Sequence, residues 1–412
     1  MATNTQKTAN FALIAGILIM LSIGVLYAWS VIKKELIISC GWSSSEAGLP
    51  YTLAIVFLAL GVFIGGRIQD KIGPKWVITC GGTLAGFGMI FSGLVGNSPI
   101  GIAIGFGIIS GLGIGLAYAC ASPPALKWNH PSKKGMVAGL IVGGFGMAAI
   151  YLAPLASTLL SSFGIKTTLM ILGAVPIMVC VPIAQFVKNP PVGYVPEAPK
   201  NLKETAVKRA PAIDFTLSEM MKTKRFYMLF FMFLFSSSAG LLILGNMPKI
   251  ASLQLPEGTA TPALLAGLVA FLAFTNTFGR VLGGMMSDKI GPVNAIFVVF
   301  TLQMLNMIGF IFYANLATLI LGIIAIGFSF GTILSVFPAI TAGQYGLKNF
   351  GANYGVMFLA WGLSGAVAPT MADYFYDLHK NFNTAYLLCA MVMVVLIFVN
   401  YMYKRNVETI NR

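Results

Sequence analysis

Apolar residues arrive in long runs, broken only by short polar turns. Twelve runs fall at 11–32, 46–66, 76–96, 100–121, 136–160, 167–187, 226–248, 262–286, 293–313, 316–338, 350–372 and 382–403. Each is about 20 residues or more, the length a helix needs to cross a hydrocarbon core of about 30 Å. With no water in that core, every backbone polar group must bond within its own segment, so such runs fold as helices. The pattern predicts an all-α membrane protein with twelve transmembrane helices. Residues 11–32 are expected to remain as the first span: the run is too long for a secretory signal and has no small-residue cleavage site.

One polar stretch interrupts the series. Residues 188–224 carry "KNPPVGYVPEAPKNLKETAVKRAP", rich in Pro, Lys and Glu. They read as a solvated linker with a short surface helix around 216–221. The chain is thus expected to divide into a six-helix bundle (1–187), the linker (188–224) and a second six-helix bundle (225–412). The halves share a repeat. "GGRIQDKIGP" at 65–74 recurs as "GGMMSDKIGP" at 283–292, seven of ten positions identical at an offset of 218. Gly135 and Gly139 answer Gly351 and Gly355 at an offset of 216. Both copies of the motif lie between the second and third spans of their half. Paired glycines permit close helix contact, Asp70 and Asp288 close a span, and Gly-Pro makes a tight turn. A plain loop explains one copy; two at matching places point to a gating element, Asp70 and Lys71 in one half and Asp288 and Lys289 in the other. Six plus six with parallel repeats is a transporter architecture, with its site near the midplane where the halves meet.

Composition confirms the membrane class: 57% of the 412 residues are hydrophobic and 9% charged. The net charge of +14 does not point to nucleic acid, because of where it sits. With the N-terminus inside, cytoplasmic loops and tails hold 20 of the 26 Lys and Arg; outer loops hold Lys33, Lys34, Lys166, Lys249 and Lys380. That bias places both termini in the cytoplasm and implies a multi-pass chain in a plasma membrane. Five cysteines show no disulfide framework or zinc spacing, and no cofactor or metal is expected.

The twenty-sixth basic residue, Arg280, lies inside a span, eight residues before Asp288. No Asp or Glu lies at comparable depth. Snorkelling to the headgroups is disfavoured, because helical side chains lean toward the N-terminus and this span runs inward, so Arg280 leans to the midplane. A central Arg costs about 2.5–3.5 kcal/mol on insertion scales and calls for a partner; an anionic substrate supplies one. The guanidinium fork donates two parallel bonds to a carboxylate. Asn276, one turn earlier on the same face, is placed to orient the guanidinium or to bond the substrate; a helix–helix hydrogen bond is the plainer alternative. Tyr118, mid-span among small residues, can complete the carboxylate shell, and Tyr27 is a weaker candidate of the same kind; an interfacial or packing role is the alternative.

"GRIQDKIGPK" (66–75) resembles the loop signature of the major facilitator superfamily, and the resemblance covers the whole chain. "YAWS" (27–30), "GLGIGLAYA" (111–119), "GMVAGLIVGGFG" (135–146), "FGRVLGGMMSDKIG" (278–291) and "FPAITAGQYGLKNFGANYG" (337–355) resemble its branch of oxalate:formate antiporters and bacterial relatives of the animal monocarboxylate transporters. The resemblance implies the major facilitator fold, two six-helix bundles rocking about a central site. It matches Tyr118 to a substrate-facing tyrosine, and Phe145, Phe330, Leu334 and Trp361 to cavity positions. Trp361 stands where oxalate transporters carry a second cation. In the animal relatives an acid implicated in proton coupling precedes the arginine by four residues; Asn276 departs from that pattern.

The expectation is a secondary transporter, not an enzyme, moving small monocarboxylates such as lactate or pyruvate by alternating access, as a monomer in the bilayer. Symport with a proton is expected, the proton travelling on the substrate carboxylate or through waters linked to Arg280. The alternatives are an oxalate:formate-type anion exchanger and a non-transporting membrane sensor. Short tails speak against the sensor, and no span carries the paired acid and base groups of an enzyme.

Overall fold

The computed structural model describes residues 2–96, 98–191, 193–196 and 214–410. The middle of the linker, 197–213, lies outside the described residues. Eleven described helices are long and apolar enough to cross a membrane. One, Pro131–Ala184, has 54 residues, roughly 80 Å of helix at 1.5 Å per residue against a core of about 30 Å. It is two spans joined at Gly164, whose φ of 72° and ψ of 178° interrupt the helix; glycine takes that backbone without a Cβ penalty. Its limbs counted separately, the spans number twelve, as the hydrophobic runs predict.

The spans are α1 (Lys7–Cys40), α2 (Glu46–Ile72), α3 (Pro74–Leu94), α4 (Pro99–Trp128), α5 and α6 (the limbs 134–163 and 165–184), α7 (Lys224–Gln254), α8 (Ala263–Ile290), α9 (Pro292–Phe310), α10 (Leu316–Tyr345), α11 (Phe350–His379) and α12 (Asn383–Asn406). Many run several residues past the apolar stretches, because helix continues into the polar boundary. Local chemistry sets the ends. Ser43 and Glu46 form the capping box their spacing predicts at the start of α2. Gly73 and Gly291, at φ 85° and 84°, turn the chain after Asp70 and Asp288, and Pro74 and Pro292 open the next helix. An even number of crossings brings both ends of the chain to one face, called here the terminal face.

Two helices depart from α geometry. α1 tightens into a 3₁₀ turn over Gly24–Ala28, where a side chain on Gly24 would overlap the Ala148 methyl of α5. α4 widens into a π segment over Ala103–Ser110. Phe106 of that segment stacks on Trp29 at 4.2 Å, and the Trp29 indole donates to the Ala47 carbonyl at 3.0 Å. The part of α1 remote from the terminal face is thereby fixed to α2 and α4.

The halves meet along two antiparallel pairs, α2 against α11 and α5 against α8. Glycine decides how closely. Added Cβ atoms on Gly66 and Gly351 would each strike the other's backbone, and the same holds for Gly135 and Gly284. Gly139 lies against the Arg280 carbonyl. The glycine repeats found in the sequence therefore face each other across the seam, the first copy of each against the second copy of the other.

The linker helix, Leu217–Met221, has Thr216 as its N-cap and a capping box closed by Glu219. Glu219 is fully exposed, and these hydrogen bonds from Thr216 hold its carboxyl below the usual range. The first part of the linker is tied to α4, with the Trp128 indole donating to the Lys188 carbonyl at 2.8 Å.

Candidate functional site

Arg280 is 2% exposed. It sits on α8 where the glycine stripe of α5 lets the two backbones approach. Its Nε donates to Asn276 Oδ1 at 2.9 Å, one turn back on the same helix. Nη1 donates to the Val142 carbonyl of α5 at 2.6 Å. Nη2 donates to the Tyr27 hydroxyl at 3.2 Å. Three of five N–H groups are thus held by neutral acceptors, two of them from the opposite half. Among the described residues no carboxylate lies within 4 Å of the guanidinium. One N–H remains on each Nη, the number a carboxylate takes in a forked pair. Gly146 makes room: a Cβ there would lie 3.3 Å from Arg280 Cζ and 2.6 Å from Thr277 Oγ1.

A cavity of about 30 Å³ opens beside the guanidinium, room for about two waters. Of the residues singled out in the sequence, Arg280, Tyr27, Tyr118, Phe145, Phe330, Leu334 and Trp361 all line it. They come from α1, α4, α5, α8, α10 and α11, and only folding brings them together. Asn276 stands behind Arg280 as its orienting partner and is not a wall residue. Phe145 packs edge-on against both Tyr27 and Tyr118, each at 5.5 Å. Trp361 stacks on Phe358 at 5.0 Å, and its indole nitrogen is buried without a partner.

Sequence reasoning missed seven others that line the cavity, Tyr51 and Phe358 and five aliphatic residues that include four leucines. Tyr51 had a usable signal, a phenol in the apolar run of α2. Phe358 had one in its helical spacing between Tyr354 and Trp361. The leucines had none, since leucine faces lipid as readily as protein.

The carboxylates of the repeat form two latches at the terminal face. Asp70, ending α2, accepts from the Gly351 and Ala352 amides of α11 at 3.2 and 2.8 Å. Asp288, ending α8, accepts from the Gly135 and Met136 amides of α5, both at 2.8 Å. The first amides of a helix lack intrahelical partners, and the positive end of the helix dipole favours an anion there. Neither α5 nor α11 has a side-chain cap from its own N-cap residue, Lys133 or Asn349. Each is capped from the opposite half instead. Lys71 and Lys289 are exposed; Lys71 lines a concavity of about 490 Å³ beside the Asp70 latch, with Arg67, Leu217, Asn349 and Ala352.

Twelve apolar spans meeting along a glycine-lined seam, with a cation buried between them, are the architecture of a polytopic membrane transporter. The match of the Major Facilitator Superfamily model to residues 11–369 establishes the family, and the chain belongs to it. Among curated proteins it is 27% identical to an uncharacterised MFS-type transporter, YhjX of Escherichia coli, over 88% of this chain and 87% of that one. It is 27% identical to the oxalate:formate antiporter of Oxalobacter formigenes, over 93% and 89%, and 22% identical to human monocarboxylate transporter 14, over 82% and 79%. Solved structures share the fold. The fucose:proton symporter FucP of E. coli superposes with a TM-score of 0.69 at 16% identity, covering 96% of this chain and 98% of that one. The human organic anion transporter MFSD10 gives 0.70 at 14%, covering 96% and 99%.

Proposed function

We propose that this transporter carries small monocarboxylates, of lactate or pyruvate size, with Arg280 as the carboxylate anchor. The observation that carries the reading is the buried guanidinium held by three neutral acceptors with two N–H groups left over. A cation so placed in a low-dielectric interior calls for an anion, and among the described residues no carboxylate lies within 4 Å. Tyr27 and Tyr118 add hydroxyl groups to the carboxylate shell; Phe145, Phe330, Leu334 and Trp361 receive the apolar remainder. Relatives named for oxalate, formate and monocarboxylates support an organic acid.

The terminal face is the cytoplasmic one by the charge bias, the membrane is a bacterial inner membrane, and residues 1–187 and 225–412 are the two moving units, joined by 188–224. The cavity is too small for even a three-carbon acid, so the solute enters when the halves separate at one end. Closed latches at Asp70 and Asp288 bar the cytoplasmic end in this conformation, and their release opens it. A proton accompanies the anion on its own carboxylate, since the cavity wall holds no titrating acid or histidine. Counterflow in proteoliposomes with a panel of radiolabelled organic acids tests the reading. Exchange of short monocarboxylates is expected, and a protein that exchanges none of them overturns it.

A further inference from the structure

Asn349 is the N-cap residue of α11. Asparagine is among the best N-caps, because its side-chain oxygen accepts from the amides of the first turn. Here it does no capping. Its amide donates instead to the Phe215 carbonyl of the linker at 3.0 Å. Asn353, fully buried one turn later, donates to the same carbonyl at 3.0 Å. The linker segment is anchored on both sides of that point. The Phe215 amide donates to the Tyr345 carbonyl at 3.0 Å, its ring meets Tyr345 edge-on at 5.5 Å, and Asp214 Oδ1 accepts from the Lys348 amide at 3.1 Å. Gly346, at φ 80°, has no space for a side chain because Asp214 fills it. The amides that Asn349 leaves unclaimed belong to the turn that binds Asp70.

We propose that the strap 214–216 is a positioning element of the cytoplasmic gate: it turns Asn349 away from its own helix and so reserves the N-terminus of α11 for Asp70 of the opposite half. The linker thereby does more than join the halves. With the strap docked, α11 has no cap except one supplied across the seam. With the strap lifted, Asn349 swings back, caps α11 locally and competes with Asp70. Local and cross-half capping are then mutually exclusive, and the linker chooses between them. The inference rests on the latch reading above.

Two spin labels, at Lys75→Cys in one half and Lys224→Cys in the other, report the separation of the halves at this face. Cys40, Cys80 and Cys389 are replaced by serine so that none takes label. The strap is weakened by Asp214→Ala with Phe215→Ala, or by Asp214→Ala alone, an exposed position that leaves the Phe215 ring packed. Either change is expected to enlarge the longer-distance population, about fivefold for the pair, the effect of one or two net hydrogen bonds. Adding Asn349→Ala should return the distribution toward wild type, because the competing cap is gone. A merely structural strap predicts the opposite, further loosening with the added substitution. Asp70→Asn serves as the control. If it lengthens the distance while the strap variants do not, or if Asn349→Ala fails to restore them, the proposal is overturned. If Asp70→Asn itself leaves the distance unchanged, the latch reading falls and the proposal with it.

Discussion

Arg280 has two N–H groups to offer a carboxylate, and its other three fix their direction. That makes its substitution informative. Arg280→Gln should abolish uptake while membrane insertion stays normal, because losing a central charge eases insertion. Arg280→Lys keeps the charge but loses the fork; a lost charge-assisted bond of about 1.5–3 kcal/mol predicts uptake reduced roughly ten- to hundredfold. Wild-type-like uptake by Arg280→Gln would remove Arg280 from the site. Asn276→Ala frees Nε without touching the cavity wall. It should raise KM more than it lowers the maximal rate, as expected of an orienting partner. An unchanged KM, measured on initial uptake rates, would reduce the Asn276 contact to packing.

At the scale of helices, glycine geometry and carboxylate caps act together at each crossing of the seam. In α8, Gly284 lies against the Gly135 backbone, so a methyl meets main chain that cannot rotate away. Gly284→Ala should cost about 1–3 kcal/mol by overpacking, and the strain is present only while the latches are closed. With the terminal face cytoplasmic, as proposed, the variant should therefore shift the protein toward cytoplasmic opening and leave its folding largely intact. Gly66→Ala in α2 should do the same, since Gly66 meets Gly351 in the symmetry-related place. The check is the rate at which a thiol reagent applied from the cytoplasmic side modifies a cysteine at Ala352. Both variants should raise it, and protection equal to wild type in both would show that the glycine contacts do not hold the gate.

Across the whole molecule, one cation in the cavity wall sets the charge of the cargo in the proposed reading. A dianion would leave a carboxylate unpaired against Trp361, Phe330 and Leu334, at a cost of several kcal/mol. Oxalate is therefore expected to compete poorly with labelled lactate, and Trp361→Lys should weaken monocarboxylate uptake and admit dianions. Equal competition by oxalate and unlabelled lactate in the wild type would overturn the charge count. If the proton travels on the solute as proposed, uptake is expected to rise at acid pH. Asp373, 3.9 Å from Lys249, and Asp377 lie outside the cavity wall, so Asp373→Asn and Asp377→Asn should keep proton-driven accumulation. Its complete loss with counterflow intact would identify them as the proton carriers.

The sequence alone determined what depends on local spacing. Run length set twelve spans, because a helix rises a fixed distance per residue across a core of fixed thickness. A duplicated motif set two halves, and the i−4 spacing put Asn276 beside Arg280. The lack of any acid at that depth left the guanidinium without a counterion before any fold was known. Tertiary structure alone decided which atoms meet across the seam: the Val142 carbonyl and Tyr27 hydroxyl on Arg280, Tyr51 and Phe358 in the wall, Asp70 and Asp288 as caps of helices in the opposite half, and Phe215 holding Asn349. The physical reason is the solvent. In lipid, the faces that look outward and the faces that pack inward are both apolar, so the periodicity that reveals a buried face in water is nearly silent here. The glycine repeats marked where helices come close but not which helix each one meets, and that pairing was settled only when the two halves closed on each other.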